Sequence, residues 1–137
     1  MSRAKLNHVN IATADGVAMA DLYRNLLGLP VVCETVVEEQ GVRVLKLDAG
    51  GTMIEITEPT GDDTPVGRFL AKRGPGLHHL AFEVDDIEKK IAEMLEAGVT
   101  MIDETARIGA SGHRIAFIHP KSFGGVLVEL VEVPESP

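Results

Sequence analysis

Two histidines and two glutamates recur at matching positions in two similar parts of the chain. His8 is the third residue of the segment LNHVNIAT, and His79 is the third residue of LHHLAFEV. Glu55 lies in TMIEITE, and Glu129 lies at the matching place in VLVELVE. Two imidazoles and two carboxylates suit a borderline or hard divalent cation and leave positions open for water or a substrate oxygen. We therefore interpret these four residues as candidate metal ligands.

The alternation of side chains along a strand supports this interpretation. Successive residues of a strand point to opposite faces, so Glu55 shares a face with Met53, and Glu129 shares one with Leu127 and Val131. A carboxylate among apolar neighbours is costly unless it is paired or bound to a metal. A lone strand histidine is commonly structural and a lone strand glutamate commonly faces solvent. The repetition of all four at equivalent positions favours the metal site.

Each histidine-bearing segment precedes a helical pattern. Asp15 is placed to cap a first helix that ends at Gly28, and Asp85 or Asp86 is placed to cap a second that ends at Gly98. The predicted apolar stripes comprise Met19, Leu22, Tyr23 and Leu26 in the first helix and Ile87, Ile91, Met94 and Leu95 in the second. Each half of the chain thus begins as a strand followed by an amphipathic helix.

Three strand-like runs follow each helix. They are PVVCETVV, VRVLKLDAG and TMIEITEP in the first half, and VTMIDETARI, HRIAFIHP and GVLVELVEV in the second. The pattern predicts an α+β fold of two paired βαβββ repeats, residues 4–58 and 76–133, within a single domain 1–137. Neither repeat is long enough to bury its sheet and helix alone, so we expect the two to pack together. The linker region 59–75 should hold a short helix that begins after Thr64.

Composition excludes several classes of partner. The 137 residues carry 13 Lys and Arg against 21 Asp and Glu, a formal net charge of -8. Binding of a nucleic-acid backbone requires a net basic face, and spanning a membrane requires a run of about 18 apolar residues; we expect neither partner. A single cysteine, Cys33, cannot form an intramolecular disulfide, which favours the cytoplasm. Its apolar surroundings predict a small core residue.

The His/Glu pattern on paired βαβββ units resembles the vicinal-oxygen-chelate superfamily, which includes glyoxalase I and extradiol dioxygenases. Within it, the chain is similar to the methylmalonyl-CoA epimerases over nearly its whole length. The segments that carry the resemblance are VEEQGVRV, TPVGRFLAKRGPGLHHLAFEVDDI and IGASGHRIAFIHPKSFGGVLVELVE. The resemblance implies an open, cupped eight-stranded mixed sheet and a homodimer.

The resemblance also implies a cofactor and its ligands. One divalent metal ion per chain, cobalt or alternatively zinc, nickel, manganese or magnesium, would be bound by His8, Glu55, His79 and Glu129. Some members of the family have a glutamine where this chain has Glu55. The carboxylate adds a negative charge, which would change the metal preference and the Lewis acidity of the site.

The activity implied is metal-dependent interconversion of (2R)- and (2S)-methylmalonyl-CoA, through removal and return of the proton at C2. Inversion requires two groups on opposite faces of the substrate. Glu39 corresponds to the family's base, with the adjacent Glu38 as an alternative, and Glu129 is a candidate for the second group. His119 is a further candidate proton carrier.

An acidic protein needs local cations to bind the phosphates of CoA. His119, Lys121 and Ser122 lie in the glycine-containing segment HPKSFGG, and Arg68 and Lys72 lie in the linker. These five are the candidate substrate- or CoA-binding residues. Two other functions remain open because the fold does not decide between them. One is a glyoxalase I-like lactoylglutathione lyase, and the other is a non-catalytic ligand-binding member of the superfamily.

Overall fold

The computed structural model describes residues 3–109 and 111–134. The chain forms two compact units. One unit comprises residues 8–78, and the other comprises 79–137 together with 1–7. The helices and strands are, in chain order, β1 (Lys5–Ala12), α1 (Gly16–Leu27), β2 (Val31–Val37), β3 (Val42–Asp48), β4 (Met53–Pro59), α2 (Pro65–Arg73), β5 (Gly76–Glu83), α3 (Ile87–Glu96), β6 (Arg107–Ile108), β7 (Arg114–Ile118) and β8 (Val128–Glu132). The predicted α+β fold with two βαβββ sequences is confirmed.

In the unit 8–78, the strands are hydrogen-bonded in the order β2-β3-β4-β1. The pair β1 and β4 is parallel, and the other two pairs are antiparallel. Glu55 of β4 lies opposite Asn10 of β1 and opposite Lys46 of β3. Since directly opposed side chains in neighbouring strands share a face, these three residues point to the same side of the sheet.

The unit 79–137 repeats this arrangement in the order β5-β8-β7-β6. The pair β5 and β8 is parallel, and Glu129 of β8 lies opposite Ala81 of β5 and Phe117 of β7. In both units, therefore, the glutamate faces the residue two positions after the histidine. Two positions along a strand return to the same face, so each histidine shares a face with its glutamate, as the alternation predicted.

The opposite face of each sheet is covered by a helix. On α1, Ala20 packs with the buried side chains of Leu45, Leu47 and Ile56, while Met19 and Tyr23 complete the contact. On α3, the buried residues Ile87 and Ile91 join the larger cluster of the other unit. None of the described helices is long and apolar enough to cross a bilayer.

Part of the predicted stripe of α1 is wrong. Leu22 and Leu26 are exposed, with 58% and 77% of their surface accessible. Met19 and Tyr23 of the predicted stripe pack toward the sheet, together with Ala20, which lies outside that stripe. A small alanine lets the helix approach the strands closely. Leucines at helical spacing indicate an apolar face but not which surface covers it.

The prediction for Cys33 is also wrong, since the thiol is exposed. Cys33 belongs to β2, the outer strand of its unit, and six of the seven residues of this strand are exposed. A run of apolar residues is typical of a buried strand. At the edge of a sheet the same run lacks a neighbouring strand on one side, so the pattern does not guarantee burial.

The run VTMIDETARI forms much less strand than predicted. Only Arg107–Ile108 are a strand, and Met101 makes an isolated bridge to Ile118. Between them, one carboxylate oxygen of Asp103 accepts a hydrogen bond from the backbone N–H of Phe117 at 2.8 Å. An aspartate side chain that bonds the backbone in this way competes with the strand ladder and bends the segment.

The two units also share a device that anchors their helices to their last strands. Glu58 of β4 accepts a hydrogen bond from the backbone N–H of Gly16, at the start of α1, at 2.6 Å. Glu132 of β8 accepts one from the N–H of Ile87, at the start of α3, at 2.8 Å. A carboxylate at a helix N-terminus satisfies a free donor and interacts favourably with the helix dipole. Each helix is therefore fixed to the strand that carries the candidate glutamate ligand.

Replacing either anchoring glutamate should destabilise the fold. We expect Glu58→Ala and Glu132→Ala each to lower the free energy of unfolding by about 1 kcal/mol, because a helix-terminal N–H loses its charged acceptor. Urea denaturation followed by circular dichroism measures the change. Glu96→Ala is the control, since a carboxylate at the exposed C-terminal end of α3 is unfavourable and its loss should not destabilise. Equal destabilisation by all three variants would contradict the role assigned to the anchors.

Candidate functional site

The first His–Glu pair lies in the unit 8–78. His8 is buried on β1, with 6% of its surface exposed. Its Nδ1 atom lies 3.4 Å from Oε2 of Glu55, whose side chain is also largely covered. An imidazole and a carboxylate held this close in a sheltered position can bind a cation together or hydrogen-bond to each other.

A lysine that the sequence analysis missed accompanies this pair. Nζ of Lys46 lies 3.9 Å from the same oxygen of Glu55, and the side chains of both residues are mostly covered. Partial burial makes such an interaction stronger than an exposed ion pair. The ammonium group therefore offsets part of the negative charge of Glu55. A lysine within the apolar strand VRVLKLD was the available signal, but only the pairing of β3 with β4 shows which residue it faces.

The second His–Glu pair lies in the unit 79–137. Nε2 of His79 lies 3.9 Å from Oε1 of Glu129, and each side chain is only 9% exposed. The ring of Phe117 contacts the His79 ring edge-on, with centroids 5.4 Å apart. This packing fixes the plane of the imidazole. The two units thus contain the same pair of functional groups on the same two kinds of strand.

A buried amide lies beside the first pair. Asn10, which is opposite Glu55, is 4% exposed and donates a hydrogen bond from Nδ2 to Oγ1 of Thr57 at 2.8 Å. Its Oδ1 is buried and has no hydrogen-bond partner among the described residues. An unsatisfied buried acceptor costs about 1–3 kcal/mol. The face that carries His8 and Glu55 therefore offers an acceptor suited to a polar group such as a water molecule.

The candidate bases Glu38 and Glu39 lie in a 3₁₀ turn, Glu38–Gln40, between β2 and β3. Both side chains are exposed. The turn ends at Gly41, whose φ of 65° favours glycine, and a Cβ there would lie 2.5 Å from Cγ2 of Thr64. Close packing against the residue that caps α2 thus holds the end of the acidic turn in place.

The candidate CoA-binding residues differ in their surroundings. Nδ1 of His119 accepts a hydrogen bond from the backbone N–H of Lys121, and Oγ of Ser122 accepts one from the N–H of Thr100 at 2.9 Å. Both side chains thereby stabilise the turn after β7. Lys121 is exposed, so its ammonium group is accessible to a ligand.

The linker helix α2 carries the other basic candidates. Thr64 caps it and Pro65 is its first residue, as predicted. Arg68 forms an ion pair with Asp63 at 3.0 Å on the surface, and Lys72 is exposed in the last turn. Exposed ion pairs contribute little to stability, so Arg68 can exchange Asp63 for an anionic ligand at small cost.

The chain is similar to known proteins in both sequence and structure. Residues 7–117 match the glyoxalase/bleomycin resistance protein/dioxygenase superfamily. The chain is 43% identical over 129 residues to the mitochondrial methylmalonyl-CoA epimerase of Dictyostelium discoideum, covering 93% of this chain and 78% of that protein. It is 40% identical over 131 residues to the ethylmalonyl-CoA/methylmalonyl-CoA epimerase of Cereibacter sphaeroides, covering 94% and 98%. It also resembles a solved methylmalonyl-CoA epimerase in complex with methylmalonyl-CoA and NH4+, with a TM-score of 0.89, 40% identity, and coverage of 99% and 100%.

The hydrogen bond to Ser122 gives a test of the turn after β7. Ser122→Ala should lower the free energy of unfolding by about 1 kcal/mol, because the backbone N–H of Thr100 loses its acceptor. Lys121→Ala, at the neighbouring exposed position, should leave stability unchanged. Thermal and urea unfolding of both variants measures the difference. If Ser122→Ala is as stable as the wild type, its hydroxyl does not support the turn.

Proposed function

Because the chain belongs to the glyoxalase/bleomycin resistance protein/dioxygenase superfamily, and within it to the methylmalonyl-CoA epimerases, we propose that it interconverts (2R)- and (2S)-methylmalonyl-CoA with the help of a divalent metal ion. The observation that carries the proposal is the repeated His–Glu pair, present in both units with the same strand register. If a His–Glu pair only stabilised its own unit, the same pair would not have to recur in the other unit at the same register.

We propose that His8, Glu55, His79 and Glu129 bind one metal ion per chain. The donor set fits, since imidazole nitrogens and carboxylate oxygens suit cobalt, zinc, nickel, manganese or magnesium, and each unit holds one His–Glu pair with both side chains largely covered. Cobalt is our first candidate. Oδ1 of Asn10, for which the described part of the chain supplies no hydrogen-bond partner, offers an acceptor for a water molecule on the face that carries Glu55.

The charge of the ligand set bears on the choice of ion. Two carboxylates neutralise a divalent cation fully, which would weaken its action as a Lewis acid. Lys46, 3.9 Å from Glu55, offsets part of this negative charge. We infer that the Glu55–Lys46 pair acts electrostatically more like a neutral ligand than glutamate alone.

The chemistry follows from the acidity of the substrate. The C2 proton lies between a thioester and a carboxylate, and a side-chain carboxylate alone is too weak a base to remove it at neutral pH. A bound divalent ion supplies stabilisation for the negative charge that develops on the substrate oxygens. Glu39 takes the proton from C2 on one face, leaving the electron pair in the enolate. Glu129, which must carry a proton at this step, gives it to C2 on the other face, inverting the centre and becoming a carboxylate. Exchange with solvent then removes the proton from Glu39 and restores the one on Glu129.

The CoA moiety requires cations at a distance from the reacting carbon. We propose that Lys121, Arg68 and Lys72 contact its phosphates, with Ser122 and His119 shaping the turn that presents Lys121. All three basic side chains are exposed.

The exposed free thiol of Cys33 suits a reducing compartment, and we propose a cytoplasmic location.

Solvent deuterium exchange tests the proposed function. Wild-type protein loaded with cobalt should catalyse the incorporation of solvent deuterium at C2 of methylmalonyl-CoA, and metal-stripped protein should not. Proton NMR of the substrate measures the exchange. Glu39→Gln should slow the exchange about 100-fold or more, the usual contribution of a general base. Glu38→Gln identifies the alternative base, and Glu34→Gln is the control, because Glu34 is an exposed glutamate on β2 paired with Arg43.

The outcomes separate the candidate functions. If the exchange rate falls in Glu38→Gln and is unchanged in Glu39→Gln, the base that removes the C2 proton is Glu38. If the protein catalyses no exchange with any one of the five metals, tested in turn, the epimerase activity is refuted. Turnover of a glutathione hemithioacetal would then indicate a glyoxalase I-like lyase, and ligand binding without turnover would indicate a non-catalytic member.

We further propose a homodimer, formed through the surface of α1 and β2. This surface exposes a set of large apolar side chains: Val17, Leu22, Leu26, Leu27, Val31, Val32 and Val36. Large apolar side chains left exposed on two successive elements of an otherwise charged protein favour an interface there. The outer strand β2 also offers backbone hydrogen-bonding groups that a second copy could pair with.

A charged substitution in this surface should dissociate the dimer. We expect Leu26→Asp to shift the sedimentation mass from dimer to monomer at micromolar concentration, since a buried carboxylate in an apolar interface is unfavourable. Ile108→Asp is the matched control, because Ile108 is similarly exposed on the outer strand of the other unit. Dissociation by Ile108→Asp alone would assign the interface to β6 instead.

A further inference from the structure

Arg107 lies on the same face of its sheet as Glu129. The first residue of β6, Arg107, is opposite Ile115 of β7. Two positions further along β7, Phe117 is opposite Glu129. Because opposed residues and residues two apart share a face, the arginine points to the side of the unit that carries the His79–Glu129 pair.

Two contacts, with Asp103 and with the ring of Phe117, hold the guanidinium group in position. Oδ1 of Asp103 lies 3.3 Å from its Nε, while Oδ2 of Asp103 is fixed by the backbone N–H of Phe117. The guanidinium carbon also lies 5.7 Å from the centre of the Phe117 ring, in cation–π geometry. The same ring packs against His79 at 5.4 Å. One aromatic side chain thus separates the arginine from a proposed metal ligand.

The orientation leaves donors for a ligand. Asp103 contacts the guanidinium through Nε, and the two terminal amino groups form the edge that binds carboxylates and phosphates in bidentate fashion. The side chain is 48% exposed, so a ligand can reach this edge. An arginine fixed in advance by a carboxylate and an aromatic ring loses little conformational freedom on binding.

We propose that Arg107 binds an oxyanion of the acyl-CoA substrate, either the free carboxylate of the malonyl group or a phosphate of CoA, and that Asp103 is its positioning residue. The proposal rests on the proposed function, since it takes the ligand to be an acyl-CoA. It adds to the active site a cation that holds the substrate, separate from the groups that move its proton.

Three probes distinguish the two oxyanions by isothermal titration calorimetry. Methylmalonyl-CoA carries both, propionyl-CoA lacks the carboxylate, and methylmalonyl-pantetheine lacks the phosphates. Loss of a charged, bidentate contact in Arg107→Met should weaken binding about 10- to 100-fold. If the carboxylate is the ligand, methylmalonyl-CoA and methylmalonyl-pantetheine weaken and propionyl-CoA does not. If a phosphate is the ligand, the two CoA esters weaken together and the pantetheine ester does not.

The control variant is Arg43→Met. Arg43 resembles Arg107 in exposure and in its ion pair with a carboxylate, Glu34, at 3.4 Å, but its neighbour opposite in β4 is Glu58, which anchors α1 on the other face. It should bind all three probes as the wild type does. Unchanged affinities for all probes in Arg107→Met, or equal losses in both variants, would overturn the proposal.

Two further variants guard against a loss of folding. Arg107→Lys keeps the charge but lacks the planar fork, so it should recover only part of the affinity. Asp103→Asn keeps an acceptor for the N–H of Phe117 but removes the ion pair, so it should weaken the same probes as Arg107→Met, by a smaller factor, with little change in unfolding temperature. Wild-type binding of acyl-CoA that depends on Arg107 but yields no deuterium exchange would refute the epimerase activity alone. Exchange with unchanged binding in Arg107→Met would refute this inference alone.

Discussion

The register of one parallel strand pair in each unit is the constraint on which the functional groups depend. In β1 and β4, and again in β5 and β8, the glutamate faces the residue two positions beyond the histidine. A slip of one residue would move the carboxylate to the face covered by the helix, where Leu45 and Ile56 are packed. The apolar residues that alternate with the glutamate along its strand are buried against the helix. Their burial therefore determines the face to which the carboxylate points.

Much of this arrangement was predictable because it is encoded at short range. The alternation within MIEITEP and VELVE and the repetition of the histidine segments suffice to place each His and Glu on strands with matching faces. Lys46 and Arg107 were missed because their importance depends on antiparallel pairing with β4 and β7. A basic residue in a strand has no local feature that names its partner across the sheet.

The wrong predictions of burial have a common cause. Cys33, Leu22 and Leu26 are apolar or small residues in regular elements, and each was expected to be covered. Local periodicity shows which residues of an element are apolar, but coverage depends on what lies outside the element. β2 is the outer strand of its unit, and α1 presents two leucines away from the sheet. Leu22 and Leu26 belong to the set of exposed apolar residues that we assign to association between copies.

The helix anchors have a consequence for how such a protein can diverge in evolution. Glu58 and Glu132 each follow the candidate ligand of the same strand, Glu55 or Glu129, by three residues, and each is bonded to the helix on the opposite face. Inserting or deleting a residue between ligand and anchor would misplace one of the two. Length variation among descendants should therefore accumulate in the loops and the linker, while these strand segments retain an invariant length.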